Sequence, residues 1–130
     1  MDKIIEHIEL SLPINTAYVS TARLTASSIA NRLAFDSDEL EDINAAVSEA
    51  CAYIIRKSHG NGTVHFHLLF GIGEGFIDIQ LNSKHNNHPP EDNEQMSLLI
   101  INALMDEMTL CTDSGKLSLH MRKTRHTLNL

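Results

Sequence analysis

Residues Ala46–Tyr53 read AVSEACAY, and they set one carboxylate, Glu49, among alanines and a cysteine. A carboxylate in such a small-residue, largely apolar segment calls for an explanation. Tyr53 follows four residues later, which on a helix puts its phenol on the same face. A phenol is bulky and a poor ligand for a hard cation at neutral pH. What the pair does bears on whether this chain is an enzyme or only looks like one.

Other stretches compete for chemistry. Gly71-Ile72-Gly73-Glu74-Gly75 suggests a phosphate loop, but it lies between two strands and opens no helix, so it fails the context of a dinucleotide fingerprint. His65 and His67 share a strand face, and His85 and His88 flank Asn86-Asn87 in a polar stretch. A zinc or nickel site built from them lacks a second convergent cluster, so surface histidines and no metal are expected. Cys51 and Cys111 show no zinc or redox spacing and are expected to be small buried hydrophobes.

The elements that must carry these residues follow from period and capping. Ile4–Leu12 alternates in part and stops at Pro13, which predicts an edge strand. Asn15 or Thr16 can cap a helix over 17–33. Asp36 with Glu39 has the form of a capping box that starts a second helix over 37–57. Leu40, Ile43, Val47, Ala50 and Ile54 make its apolar stripe. Arg56 and Lys57 suit its C-terminal dipole.

His59-Gly60-Asn61-Gly62 reads as a turn. Strands are expected over 63–70 and 75–81, joined through Gly71–Gly75, followed by a polar loop over 82–93. A third helix is predicted over 94–105, then a hairpin of 108–111 and 116–122 around Asp113-Ser114-Gly115. The order β-α-α-β-β-α-β-β predicts an α+β protein: a two-layer sandwich with helices on one face of a mostly antiparallel sheet.

The chain has 130 residues, with 10 basic and 17 acidic side chains and a net charge of −7. One domain over 1–130 is expected. The negative balance argues against nucleic acid as a partner. No apolar run reaches the ~20 residues of a membrane span, and the N-terminus lacks a signal-peptide core, so a cytoplasmic protein is expected.

Three stretches, Ala22–Phe35, Asp38–Cys51 and Leu104–Leu110, resemble the bacterial anti-sigma-factor serine kinases of the histidine-kinase-like (GHKL) ATPase superfamily. The resemblance spans nearly the whole chain and implies the Bergerat fold. In that family the helix that matches Asp38–Cys51 carries a Glu that acts as general base and, four residues on, an Asn that ligates Mg²⁺ on ATP. Glu49 matches the base, and Tyr53 replaces the Asn. An Asp-x-Gly that reads adenine appears here as Asn82-Ser83-Lys84, leaving Asn82 to offer a carbonyl. A phosphate-cradling glycine turn appears as Glu94-Gln95-Met96-Ser97, without glycine. The lid shrinks to about Lys84–Asn93.

The resemblance thus implies an anti-sigma-like regulator with a degenerate ATP site. It would bind a protein partner, a sigma factor or an anti-anti-sigma antagonist, and ATP with magnesium only if the site is still competent. Glu49 would be a vestigial base, with Tyr53 and Asn82 at degenerate ATP-site positions. The alternative is an active serine kinase with a divergent site. In the family an Arg on the first helix faces the sigma factor; Arg23 matches it, and Arg32 lies on the same helix. Family members also tend to pair, so a homodimer is possible.

Overall fold

The computed structural model describes residues 3–58, 63–84 and 92–126, the side chains of 92–94 excepted. Strand β1 (Ile4–Pro13) leads through a 3-10 turn (Thr16–Tyr18) into α1 (Val19–Arg32) and α2 (Ser37–Ser58). Then come β2 (His65–Gly73), β3 (Phe76–Lys84), α3 (Asp92–Leu104), β4 (Glu107–Asp113) and β5 (Lys116–Thr124). The five strands form one antiparallel sheet in the order β1-β2-β3-β5-β4. β1 lies at an edge, as Pro13 predicts.

Local chemistry sets the helix ends. Asn15 Oδ1 accepts from Ala17 N at 2.9 Å and starts the 3-10 turn. The capping box of α2 is reciprocal: Glu39 N donates to Asp36 Oδ1 at 2.7 Å, and Asp36 N donates to Glu39 Oε1 at 2.9 Å. Glu39 Oε2 also accepts from His126 N at 2.8 Å, which ties the chain after β5 to the start of α2. α1 closes in a Schellman motif, with Ala34 N on Asn31 O at 3.1 Å and Phe35 N on Ala30 O at 3.3 Å. Ala34 stands at φ 61 there, where glycine is the usual choice.

All three helices cover one face of the sheet. That face presents Phe66, Leu68 and Phe70 from β2, Ile77, Ile79 and Leu81 from β3, and Leu117, Leu119 and Met121 from β5, all buried. Ile43, Val47, Ala50 and Ile54 of α2 pack against it and are fully buried. Ala22, Ala26 and Ala30 bring α1 close to α2. Arg23 bonds Ser48 and Ser27 bonds Asn44, so the two helices run in opposite directions.

The other face is open and polar. Asp78 is nevertheless buried there, because Arg122 holds both its oxygens, at 2.6 and 2.8 Å. The same guanidinium lies 4.3 Å from the Phe76 ring centre.

Three expectations change. The β2–β3 connection is only Glu74-Gly75, and Gly71 and Gly73 are strand residues. Phe76 explains the second: a Cβ on Gly73 would meet its ring at 2.0 Å. Asn82, Ser83 and Lys84 continue β3 and do not begin a loop. Cys111 is exposed, because β4 is an edge strand and Cys111 shares a row with Ser118 on the open face. The turn His59–Gly62 and the histidines His85 and His88 lie outside the described residues.

Candidate functional site

Helix α2 supplies the middle of the candidate site. Glu49, Tyr53 and Arg56 fall at steps of four and three, on the side of α2 turned to α3. Arg56 Nη2 reaches across and donates to Ser97 Oγ of α3 at 2.8 Å. Ser97 is buried, in the stretch expected to match the phosphate-cradling turn; here that stretch is the first part of α3. At the end of α2, Ser58 Oγ and Ser83 Oγ share a hydrogen bond of 2.6 Å. The space bounded by α2, α3 and the end of β3 is therefore crossed by protein-to-protein hydrogen bonds.

Tyr53 is 4% exposed and belongs to the core. Glu49 is half-buried and makes no hydrogen bond or ion pair among the described residues. Among those residues, no group of three His, Cys, Asp or Glu side chains converges to hold a metal ion. Cys51, two residues from Glu49, is buried, and burial pushes its thiol pKa up to about 12. It stays a protonated thiol at neutral pH and offers no nucleophile.

Asn82 is not brought to Glu49 and Tyr53. It pairs in register with His67 and Ser118 and bonds Gln80, all on the open face. Strand alternation instead turns Ser83 to the helices, in one row with Ile79 and Leu81. Sequence reasoning missed Ser83, Ser58, Arg56 and Ser97 as the residues that close this space. The period-2 pattern of β3 carried the signal for Ser83: the two residues before it in the row are the apolar ones.

Arg23 and Arg32 are also not brought together. Nine positions separate them, about half a turn around the helix at ~100° per residue. Arg23 is half-buried and its Nη1 donates to Ser48 Oγ at 3.3 Å. Arg32 is exposed at the rim of a groove with Glu6, Ile8 and Ile72, beside β1. Leu24, next to Arg23, is 66% exposed on the outer side of α1.

The family described as the histidine kinase-like ATPase domain matches residues 12–123. The chain belongs to that family. Its relatives include proteins named serine-protein kinase RsbW from Bacillus thuringiensis (strain Al Hakam) and Bacillus anthracis, each 30% identical. Each alignment covers 85% of this chain and 80% of the relative. The resemblance to the anti-sigma-factor serine kinases is thereby borne out. A crystal structure of RsbU and RsbW domains from Mycobacterium tuberculosis superposes with a TM-score of 0.73 at 13% identity. It covers 93% of this chain and 33% of that longer one, and it supports the histidine-kinase-like fold. No helix among the described residues is long and apolar enough to cross a membrane.

Proposed function

We propose that this chain is a cytoplasmic anti-sigma-like regulator that works by holding a protein partner, and that its ATP site is degenerate. The partner class is a sigma factor or the antagonist that competes with it. The observation that carries this reading is Tyr53: at the position where the family places its magnesium-ligating Asn, a phenol is packed into the core with 4% exposure. The bonds from Arg56 to Ser97 and between Ser58 and Ser83 support it, since they use polar groups that a nucleotide would otherwise meet.

Magnesium with ATP, which the family implies, does not fit this set of described residues. Glu49 is a lone carboxylate, and the neighbouring oxygen is a buried phenol. A general base without a held phosphoryl donor has nothing to activate. Partner binding is supported by α1, where Leu24 is exposed on the outer side and the half-buried Arg23 keeps guanidinium donors beyond its bond to Ser48.

A second reading, an active serine kinase with a divergent site, is favoured by one observation. Glu49 is half-buried and unengaged among the described residues, as a working base would be. On that reading Ser83, and not Asn82, is the β3 residue that faces the site.

Surface plasmon resonance against purified sigma factors and antagonists from the host separates the two. Arg23→Glu should weaken capture strongly, because it removes one contact and adds a repulsive one. Glu49→Ala should leave capture intact. Loss of antagonist phosphorylation in Glu49→Ala, with Arg23→Glu harmless, would establish the kinase reading.

A further inference from the structure

The open face of the sheet carries a feature that the reading above does not use. Near the ends of β2, β3 and β5 lies an open trough of about 770 Å³, within the size range of small-molecule sites. Its basic lining is Lys84, Lys116, His65 and His67, and no carboxylate lines it among the described residues. The chain as a whole has 17 acidic and 10 basic side chains, so this is a local reversal of sign.

The reversal is built into the strand register. Lys84 and Lys116 are direct cross-strand partners on the open face. Like charges placed directly opposite are destabilising in a sheet. Asp113 is the register partner of Lys116 on its other side, yet neither lysine makes an ion pair among the described residues. Asn82 sits in the next row, between His67 and Ser118. Its Oδ1 accepts from Gln80 Nε2 at 3.2 Å, which leaves the amide N–H groups to the trough. Gln80 Nε2 also donates to Ser118 Oγ at 3.1 Å and steadies this floor. Among the described residues the trough therefore presents positive charge and amide donors, with neutral hydroxyls and amide oxygens but no anionic partner in its lining.

We propose that this trough binds a small multivalent organic phosphate, with Lys84 and Lys116 neutralising its charge and Asn82 and His67 donating to its oxygens. Two facing ammonium groups that repel each other when free gain most from an anion lying between them. Lys84, Lys116, Asn82 and His67 lie on the opposite side of the sheet from Glu49, and of the residues that close the candidate nucleotide space Ser83 alone also lines the trough.

Titration calorimetry at low salt, with inorganic pyrophosphate as the probe and citrate as the comparison, tests this. Saturable pyrophosphate binding is expected, tighter than citrate, and weakened about tenfold or more in Lys84→Ala/Lys116→Ala, as the loss of charge-assisted contacts requires. Both lysines are exposed, so the double variant should fold, which circular dichroism checks. Arg32→Ala, on the helix side, should bind as the wild type does. Absence of binding, or equal binding by wild type and double variant, would overturn the site. Equal affinity for citrate and pyrophosphate would overturn the phosphate assignment.

Discussion

Arg56 of α2 donates to Ser97 of α3 at 2.8 Å and bridges the two helices that flank the candidate nucleotide space. Tyr53 lies one turn before it on the same side and is almost fully buried. The two residues act on the same space in different ways. Tyr53 fills volume, and Arg56 ties a buried hydroxyl of α3 to α2.

Tyr53→Asn would place a carboxamide where the family has one. It should cost about 2–4 kcal/mol of stability, through lost aromatic burial and a residual cavity. It should not by itself confer ATP binding, because Arg56–Ser97 and Ser58–Ser83 remain closed. Urea unfolding and calorimetry measure the two effects. Tight ATP binding by this single variant would show that Tyr53 alone blocks the site.

Glu39→Ala should destabilise by about 2 kcal/mol. It removes a capping-box acceptor and the acceptor for His126 N together. Urea unfolding should show a lower midpoint with an unchanged slope. A loss below half a kcal/mol would mean that water replaces both bonds.

Ala34→Gly should stabilise the chain by about 0.5–1 kcal/mol. Ala34 holds φ 61 in the Schellman turn, where its Cβ is crowded and glycine is not. The higher flexibility of glycine in the unfolded chain offsets part of the gain. Thermal unfolding would report it as a rise in Tm, and a fall would show that the methyl packs usefully.

Maleimide labelling near pH 8 should modify Cys111 quickly and leave Cys51 untouched until the chain unfolds. Cys111 is exposed, whereas burial raises the Cys51 pKa from 9.0 to about 12. A thiol that holds its proton more tightly when folded stabilises the fold fully below its unfolded pKa. That contribution is lost as pH rises from about 9 toward 12. Two modified cysteines per native chain by mass spectrometry would contradict the burial.

Much of the fold was legible because its signals are local. Asp36 and Glu39 announced α2 by spacing alone, and Ile43, Val47, Ala50 and Ile54 announced its buried face. The β4–β5 turn was equally plain: Ser114 and Gly115 take φ 51 and 78, as a tight hairpin needs. The site was legible in part. Glu49 and Tyr53 could be paired by helical period, but Asn82 was assigned by motif and not by strand alternation, and the alternation sends it to the open face. Arg56–Ser97 spans 41 positions in sequence, so no local pattern could join them. Cys111 was misplaced because burial of a strand residue depends on its row and on whether the strand is an edge.

Titration calorimetry of the wild-type protein with ATP and magnesium tests the degenerate site most directly. The account predicts no saturable heat, or a Kd weaker than about 1 mM, equivalent to about −4 kcal/mol. A Kd in the low micromolar range, about −8 kcal/mol, would contradict it and return Glu49 to the role of a working base.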